Sequence, residues 1–232
     1  MADSLEETER QRREFIANIS HELKTPMTSI GGFIDGILDG TIESEKQKYY
    51  LNIVSDEVKR LSRLVESMLS MAKLESGEFM LKPEVFDLRE LLISVVISQE
   101  QRIEAKQIEI SGLDETESIS VNADKDLIHQ AIYNLVDNAI KFTEEGGRIS
   151  FSLKSENKKT VFTLINSGSG IPEKDLPFIF ERFYKVDKSR SASKNSTGIG
   201  LYIVKTVIAA HSGTVSVTSK ENEFTSFKIT LP

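Results

Sequence analysis

The sequence predicts an α plus α/β protein: an antiparallel helical hairpin that dimerises into a four-helix bundle, followed by a two-layer α/β sandwich. Two observations lead to this prediction. Apolar residues between 5 and 75 recur at alternating spacings of three and four, and from about residue 79 helical and strand patterns are interleaved. The chain of 232 residues is 39% hydrophobic and 28% charged, which suits two small folded domains.

The first 75 residues predict two long amphipathic helices joined around Gly40. A short connection of this kind joins antiparallel helices. A hairpin buries only part of such stripes, so we expect it to dimerise; packing against the rest of the same chain is the alternative. The stripes are formed by Ile16, Ile19, Leu23, Met27, Ile30, Ile34 and Ile37 in the first helix and by Tyr50, Val54, Val58, Leu61, Val65, Met68 and Ala72 in the second.

A domain boundary is expected at Ser76-Gly77, since glycine commonly ends a helix and Pro83 follows. Beyond it, a sheet with helices on one face is predicted, and the polar, aperiodic segment 186–197 indicates a mobile lid. The predicted helices lie near 88–104, 124–142 and 199–211, and the predicted strands near 107–111, 119–121, 148–155, 160–166, 214–219 and 226–231.

Composition excludes several classes of protein. The net charge of −7 argues against a nucleic-acid binder, and the absence of cysteine excludes disulfides and thiolate metal sites. Three widely separated histidines argue against a histidine metal cluster, and no apolar run is long enough to span a bilayer. Without an export signal, these features point to the cytosol.

His21 is a candidate reactive residue. It lies two positions from both Ile19 and Leu23, so it points about 200° around the helix from the apolar stripe, toward solvent. Glu22 can accept a proton from one ring nitrogen, and Thr25 shares the exposed face. Pro26 should bend the helix one turn away, at a cost for which function is one explanation. An ordinary surface histidine is the alternative.

The second half predicts a nucleotide site. Asn134, Asn138 and Lys141 share one face of a helix, where amide oxygens can hold Mg²⁺ and an ammonium can neutralise phosphate. Glycine pairs follow in 166–172 and 196–201, the second at a helix start that suits phosphate. Between Arg182 and Lys194 lie five cations and one acid. A solvated helix face, ordinary turns and a solvated basic loop are the respective alternatives.

Five segments in order resemble the sequence boxes of HisKA-class bacterial sensor histidine kinases. Residues 15–26 resemble the H box, 134–142 the N box, 166–172 the first glycine box, 178–189 the F box and 197–201 the second glycine box. The resemblance covers almost the whole chain. It implies the end of an incoming signalling helix at 1–14, a dimerisation and histidine-phosphotransfer domain at 15–76, and an ATP-binding catalytic domain of the Bergerat (GHKL) fold at 77–232.

The same resemblance implies an activity and its residues. His21 would accept phosphate from ATP with Glu22 as base, Thr25 would orient water during dephosphorylation of the partner, and an aspartate of a response regulator would receive the phosphoryl group. The expected partners are a second copy of the chain and that regulator, with membrane attachment only through a sensor part N-terminal to this cytoplasmic portion. The nucleotide and Mg²⁺ ligands would be Asn134, Asn138 (on the metal), Lys141, Phe142, Asn166, Gly168, Gly170, Lys185, Thr197, Gly198, Gly200 and Leu201.

The sequence departs from the family at three places. Asn166 stands where an aspartate usually binds the adenine amino group, and a neutral acceptor makes a weaker bond than a charged one. Ser196 replaces a common glycine, and 223–227 lacks the glycine of the final box. These departures leave open a low-activity or non-catalytic dimeric scaffold. A different GHKL ATPase, such as a chaperone or topoisomerase-like module, is disfavoured because it needs no exposed histidine on a bundle helix.

Overall fold

The computed structural model describes residues 2–75, 80–186 and 197–232, with side chains from residue 16 to 72 in the first range. The chain divides into a helical unit up to Leu69 and an α/β unit from Ser70. The helical unit is built from α1 (Ala2–Leu38) and α2, which begins at Ser44 and runs on to Glu75.

Helices α1 and α2 form the predicted antiparallel hairpin. Close to their connection, the rings of Phe33 and Tyr50 are 5.1 Å apart. Farther from it, Arg60 Nη2 lies 3.5 Å from Glu22 Oε2. The pair farther from the connection is also separated by more residues of sequence, which is the pattern of two antiparallel helices.

One copy of the hairpin leaves much of its apolar surface exposed. Val58 and Val65, both on the predicted α2 stripe, are 47% and 41% exposed, and Met27 of the α1 stripe is 60% exposed. Large apolar side chains exposed along both helices are typical of a surface that pairs with another element. Among the described side chains of the two helices, the exposed large apolar residues are Ile16, Met27, Ile34, Leu38, Tyr49, Leu51, Val58, Val65 and Leu69.

The described residues of the α/β unit form two sheets. Strands β1 and β3 pair antiparallel, while the larger sheet has the order β2-β4-β5-β7-β6, in which β2 and β4 are parallel and the other pairs antiparallel. The elements are β1 (Pro83–Asp87), α3 (Leu88–Ser98), α4 (Glu100–Ala105), β2 (Glu109–Ser111), β3 (Ser120–Asp124), α5 (Lys125–Phe142), β4 (Arg148–Glu156), β5 (Lys159–Ser167), α6 (Gly200–Ala210), β6 (Thr214–Lys220) and β7 (Phe224–Leu231).

Helices cover one face of the five-stranded sheet, as predicted. Along β4, Ile149, Phe151 and Leu153 are buried, whereas the intervening side chains are not. Helix α5 packs on β5 and against α6, α6 packs on β6, and α3 lies beside α5. A period of two in the strands and apolar stripes on the helices together produce this two-layer core.

The structure corrects two details of the predicted elements. Strand β1 was not predicted; it is only five residues long, and Val85 on it is 73% exposed. The predicted helix at 88–104 is interrupted at Gln99, whose N–H bonds the carbonyl three residues back, at Val96. Because buried residues continue across the break to Ile103, the apolar period alone does not reveal it.

The N-terminus of α5 is held by two residues. Asp124 caps it, since its Oδ1 accepts from the Leu127 N–H at 3.2 Å. The Asp124 N–H in turn donates to His211 Nε2 at 2.9 Å, and His211 Nδ1 lies 2.8 Å from the Val207 carbonyl. His211 therefore carries its proton on Nδ1 and links the end of α6 to the start of α5.

Asp87 caps α3 in the same way and yields a pH-dependent prediction. Its Oδ1 accepts from the Arg89 N–H and its Oδ2 from the Ser118 hydroxyl. The Ser118 hydrogen bond, opposed by some desolvation and helped by backbone donors, lowers the pKa of Asp87 below its usual 3.8. The charged Asp87 carboxylate thus stabilises the fold at pH values above 3.8. This stabilisation is lost as the pH falls below 3.8 and the carboxylate of the folded protein becomes protonated.

Replacing Asp87 tests this cap. We expect Asp87→Ala to lower the free energy of unfolding at pH 7 by about 1 kcal/mol, the usual value of an N-cap. Asp87→Asn keeps one acceptor without charge, so it should be less stable than wild type at pH 7 and converge with it below pH 3.8. Urea unfolding followed by circular dichroism measures both; a gap between Asp and Asn that does not change with pH would contradict the account.

Candidate functional site

The structure places His21 on the exposed surface of α1, as the spacing predicts, while its neighbours Ile19 and Leu23 are partly buried. Thr25, one turn later, donates its hydroxyl to the His21 carbonyl at 3.1 Å. Pro26 continues the helix and is buried, although it supplies no N–H to the Glu22 carbonyl. His21 and Thr25 are therefore next to each other on one helical face.

Glu22 is engaged across the hairpin. Its carboxylate lies 3.5 Å from Arg60 Nη2, and Arg60 Nη1 lies 3.3 Å from Glu57 Oε2. The Arg60 and Glu22 side chains are only 15% and 18% exposed, so this pair is shielded more than an ordinary surface ion pair. The carboxylate next to His21 is thus held in place by α2, which the sequence alone did not indicate.

Helix α5 carries the centre of the second site. The Nδ2 atom of Asn134 is buried and has no hydrogen-bond partner within the part of the chain that the structure describes. Gly200, the first residue of α6, lies so close that a Cβ there would be 3.5 Å from Asn134 Oδ1. The structure thus brings the predicted N box and second glycine box together, with an unsatisfied amide donor between them.

Two other glycines let backbone segments approach the same region. Gly168 has φ +144°, and a Cβ on it would lie 2.2 Å from the carbonyl oxygen of Phe142, at the end of α5. Gly198 has φ +71°, and a Cβ on it would lie 2.6 Å from the carbonyl carbon of Phe183. The Phe183 N–H also donates to the Gly198 carbonyl at 2.8 Å. Both loops therefore require glycine where they pass α5 and the F box.

Several of the remaining candidate residues belong to the same segments. Asn138 and Lys141 follow Asn134 on α5, and the Lys141 Nζ lies 5.8 Å from the centre of the Phe142 ring. Lys185 follows Phe183 by two residues and is partly buried. Thr197 Oγ1 accepts from the Ile199 N–H at 3.4 Å, and Leu201 lies in the first turn of α6.

Asn166 ends the buried face of β5. It is 4% exposed, and its Nδ2 donates to the Ser167 carbonyl at 3.0 Å. Gly170, at φ +63°, sits against the Lys220 carbonyl, where a Cβ would be 2.3 Å away. Ser196, most of the predicted lid and the predicted hinge at Ser76-Gly77 lie outside the described residues.

Sequence reasoning assigned no role to two interactions near this site. Arg182 donates to the Tyr202 hydroxyl at 2.9 Å and lies over its ring at 4.8 Å, which ties the F box to the first turn of α6. The Lys106 Nζ donates to three backbone carbonyls at the C-terminal end of α5. The residues in these two interactions show no recurring spacing, so a sequence pattern could not reveal either interaction.

The arrangement fits a nucleotide. An unsatisfied buried amide, an ammonium on the same helix and a helix start reached through glycine suit phosphate groups, and the glycine approaches near Phe142 suit a flat base. In the described residues no cluster of three or more His, Cys, Asp or Glu could hold a metal ion. A Mg²⁺ ion here would depend on the Asn138 amide oxygen and on phosphate oxygens.

The fold and these two sites define a class of protein: a nucleotide-binding α/β unit joined to a helical hairpin with an exposed histidine. Two family models match the chain. Residues 11–77 match the His Kinase A (phospho-acceptor) domain, and residues 123–232 match the histidine kinase-, DNA gyrase B- and HSP90-like ATPase. Together these matches cover most of the chain, and the protein belongs to the HisKA class of sensor histidine kinases.

Relatives agree with this assignment. The chain is 36% identical over 231 residues to sensor histidine kinase YclK of Bacillus subtilis strain 168, covering 99% of this chain and 48% of YclK. It is 32% identical over 230 residues to sensor histidine kinase WalK of the same strain, covering 98% and 38%. The chain therefore spans about half or less of the length of these curated relatives.

Solved structures show the same fold. Acinetobacter baumannii histidine kinase AdeS superposes with a TM-score of 0.75 at 26% identity, covering 91% of this chain and 96% of that one. Histidine kinase ThkA, in a crystal structure with response regulator protein TrrA, gives a TM-score of 0.75 at 30% identity, covering 99% and 66%. The helical hairpin followed by a GHKL-type sandwich is thus confirmed.

The close approach of Gly168 to α5 gives a prediction. We expect Gly168→Ala to weaken binding of a fluorescent ATP analogue at least tenfold, because the new Cβ must push the loop away from the Phe142 carbonyl. Gly146→Ala is the matched control: Gly146 also has positive φ, at +73°, but no neighbouring atom lies within 4 Å of the added Cβ. Equal losses in the two variants, by equilibrium titration, would show that backbone strain alone is responsible.

Proposed function

We propose that this chain is the kinase portion of a two-component sensor: it phosphorylates His21 with ATP, passes the phosphoryl group to an aspartate of a response regulator, and dephosphorylates that regulator. The observation that supports this best is the unsatisfied, buried Asn134 amide beside Gly200, in a chain whose helical hairpin exposes His21. The Asn134 amide N–H needs a hydrogen-bond acceptor on a ligand, and His21 offers an exposed nucleophile.

In the catalytic unit the residues bind and orient the nucleotide. We assign Asn134, Lys141 and Lys185 to the phosphates, with Asn138 on Mg²⁺ and Asn166 and Phe142 at the adenine. The backbone can approach the nucleotide closely at Gly168, Gly170, Gly198 and Gly200. Thr197 precedes the start of α6, and Leu201 lies in its first turn. When bound, Mg·ATP supplies the transferable phosphoryl group; the protein contributes position and charge neutralisation, which phosphoryl transfer chiefly needs.

On the hairpin, His21 is assigned as the phosphoacceptor and Glu22 as its base. A carboxylate that accepts one ring N–H keeps the other nitrogen unprotonated and able to attack. The contact between Glu22 and Arg60 restricts where that carboxylate can lie. Thr25 is assigned to orient water for dephosphorylation of the regulator, and its position one turn after His21 on the same helical face supports this role.

We propose the domain limits 1–14, 15–76 and 77–232, with Ser76-Gly77 as the hinge. Such a hinge lets the catalytic domain reach His21. The curated relatives are longer than this chain, which supports a further part in the whole protein. We propose that this part is a sensor N-terminal to the chain, through which the protein would reach a membrane. None of the described helices has the length and apolarity needed to cross a bilayer.

The partners in this proposal are a second copy of the chain and a response regulator. The exposed apolar residues on both hairpin helices support the first. The solved complex of ThkA with its response regulator supports the second. A non-catalytic scaffold that binds the regulator is the competing function, and the neutral Asn166 in the base site is the observation that favours it.

Phosphate labelling separates the two functions. With γ-phosphate-labelled Mg·ATP, wild type should gain an acid-labile, alkali-stable label that is lost in His21→Ala. His129→Ala is the matched control, because His129 is also exposed on a helix. It should label like wild type.

Absence of label in wild type would favour the scaffold. Asn166→Asp would then show whether the neutral base-site residue is the cause. Nucleotide hydrolysis that persists in His21→Ala without a phosphoprotein would instead indicate a GHKL ATPase of another kind.

Dimerisation has its own test. Wild type should show twice the chain mass of 26.0 kDa by light scattering. Val58→Glu should shift it toward one chain, because a charge in a buried apolar interface is strongly unfavourable. Asn52→Glu adds the same charge at an exposed polar position of α2, about 120° around the helix from Val58, and should remain dimeric. A monomeric wild type would refute the dimer, and equal masses for both variants would place the interface elsewhere.

A further inference from the structure

The C-terminus of α5 ends without the usual helix cap. Thr143 follows it in extended backbone, with φ −77° and ψ 134°, so no left-handed residue folds back to bond the last carbonyls. Four helix carbonyls therefore need other partners. The Ala139 carbonyl accepts both the N–H and the hydroxyl of Thr143, at 2.9 and 2.7 Å.

Lys106 satisfies the next carbonyls. Its Nζ lies 2.8 Å from the Ile140 carbonyl, 3.0 Å from that of Lys141 and 2.8 Å from that of Thr143. An ammonium has three donors, and here each has a backbone acceptor at good distance. The remaining carbonyl, that of Phe142, faces Gly168.

Lys106 therefore contacts the backbone at and next to residues that are proposed nucleotide ligands. The carbonyl of Lys141 accepts from Lys106, and the neighbouring residue Phe142 meets the first glycine loop. A cation at a helix C-terminus also interacts favourably with the helix dipole. Burial, and secondarily the charge of Arg102, lowers the pKa of Lys106.

We propose that Lys106 is a positioning residue for nucleotide binding: by holding three carbonyls at the end of α5, it fixes where Lys141 and Phe142 present their side chains and where the Gly168 loop rests. This inference rests on the proposed function, since it takes those residues as nucleotide ligands. Lys106 itself touches no nucleotide in this account.

The experiment compares Lys106→Met, which keeps the length and removes the charge and donors, with Lys106→Arg, which keeps both. Arg102→Met is the matched control, because Arg102 lies one turn earlier on α4 and contacts α5 at Asp137, in mid-helix, at 2.6 Å. Circular dichroism establishes that each variant is folded, and Lys106→Gln is a second neutral variant should Lys106→Met not fold.

Two measurements are made on each protein. Equilibrium titration with a fluorescent ATP analogue and Mg²⁺ should show about a tenfold higher Kd for Lys106→Met, a smaller change for Lys106→Arg and less than a twofold change for Arg102→Met. Hydrogen exchange of the nucleotide-free chain should be faster at the amides of residues 139–143 in Lys106→Met alone. In kinase assays the KM for ATP should rise while kcat at saturation stays near wild type.

The outcomes separate this inference from the proposed function. Wild-type affinity in Lys106→Met, together with faster exchange at 139–143, would make Lys106 a structural cap only and overturn the inference. Equal losses in Lys106→Met and Arg102→Met would also overturn it, because both would then act through general loosening of α5. Failure of wild type itself to bind nucleotide would refute the proposed function instead, whatever residue stands at 106.

Discussion

The α/β unit depends on the placement of one helix, α5. Its apolar stripe, including Ile132, Leu135 and Val136, is fully buried, while the neighbouring stripe presents polar side chains to glycine loops. Rotation or sliding of α5 would expose its apolar core or move Asn134 away from Gly200. Both ends are fixed by tertiary groups, Asp124 with His211 at one and Lys106 at the other. The site is precise because the helix that carries it is immobilised on its faces and at its ends.

The exposure of His21 on the helical hairpin follows from a different constraint. An apolar stripe at spacings of three and four leaves the positions between its members to solvent, and His21 is one of them. Its exposure is thus a consequence of the same pattern that pairs α1 with α2. The polar contact between Glu22 and Arg60 joins the helices near His21, so hairpin packing and the surroundings of His21 are coupled.

Much of this architecture could be predicted from the sequence, because long periodic segments determine which faces are buried. The hairpin, the sandwich and the exposure of His21 are such cases. Strand β1 was missed because a short, half-exposed strand has no clear period, and the break at Gln99 was missed because the apolar pattern continues through it. The boxes predicted candidate ligands, but not that Gly200 would lie against Asn134 or that Lys106 would end α5. Such contacts join residues far apart in sequence by geometry that only the fold supplies.

The departures from the family pattern have a local physical explanation. The final box lacks its glycine, yet the first glycine loop is held there mainly by backbone: the Gly168 N–H donates to the Glu223 carbonyl at 3.2 Å, and the Asn222 N–H donates to the Ser169 carbonyl at 2.8 Å. Backbone groups make these bonds, so the contact between the two loops is present in this chain without that glycine.

Asn166 is accommodated in a similar way. Its Nδ2 donates to the Ser167 carbonyl, which leaves Oδ1 as the acceptor for a base amino group. A carboxylate in the same orientation would instead set an oxygen against that carbonyl. The Asn166 amide therefore fits the backbone around it in this chain. Compared with an aspartate at the same position, it lacks only the negative charge. At this residue, the argument for a non-catalytic scaffold is therefore reduced to the loss of one charge-assisted hydrogen bond.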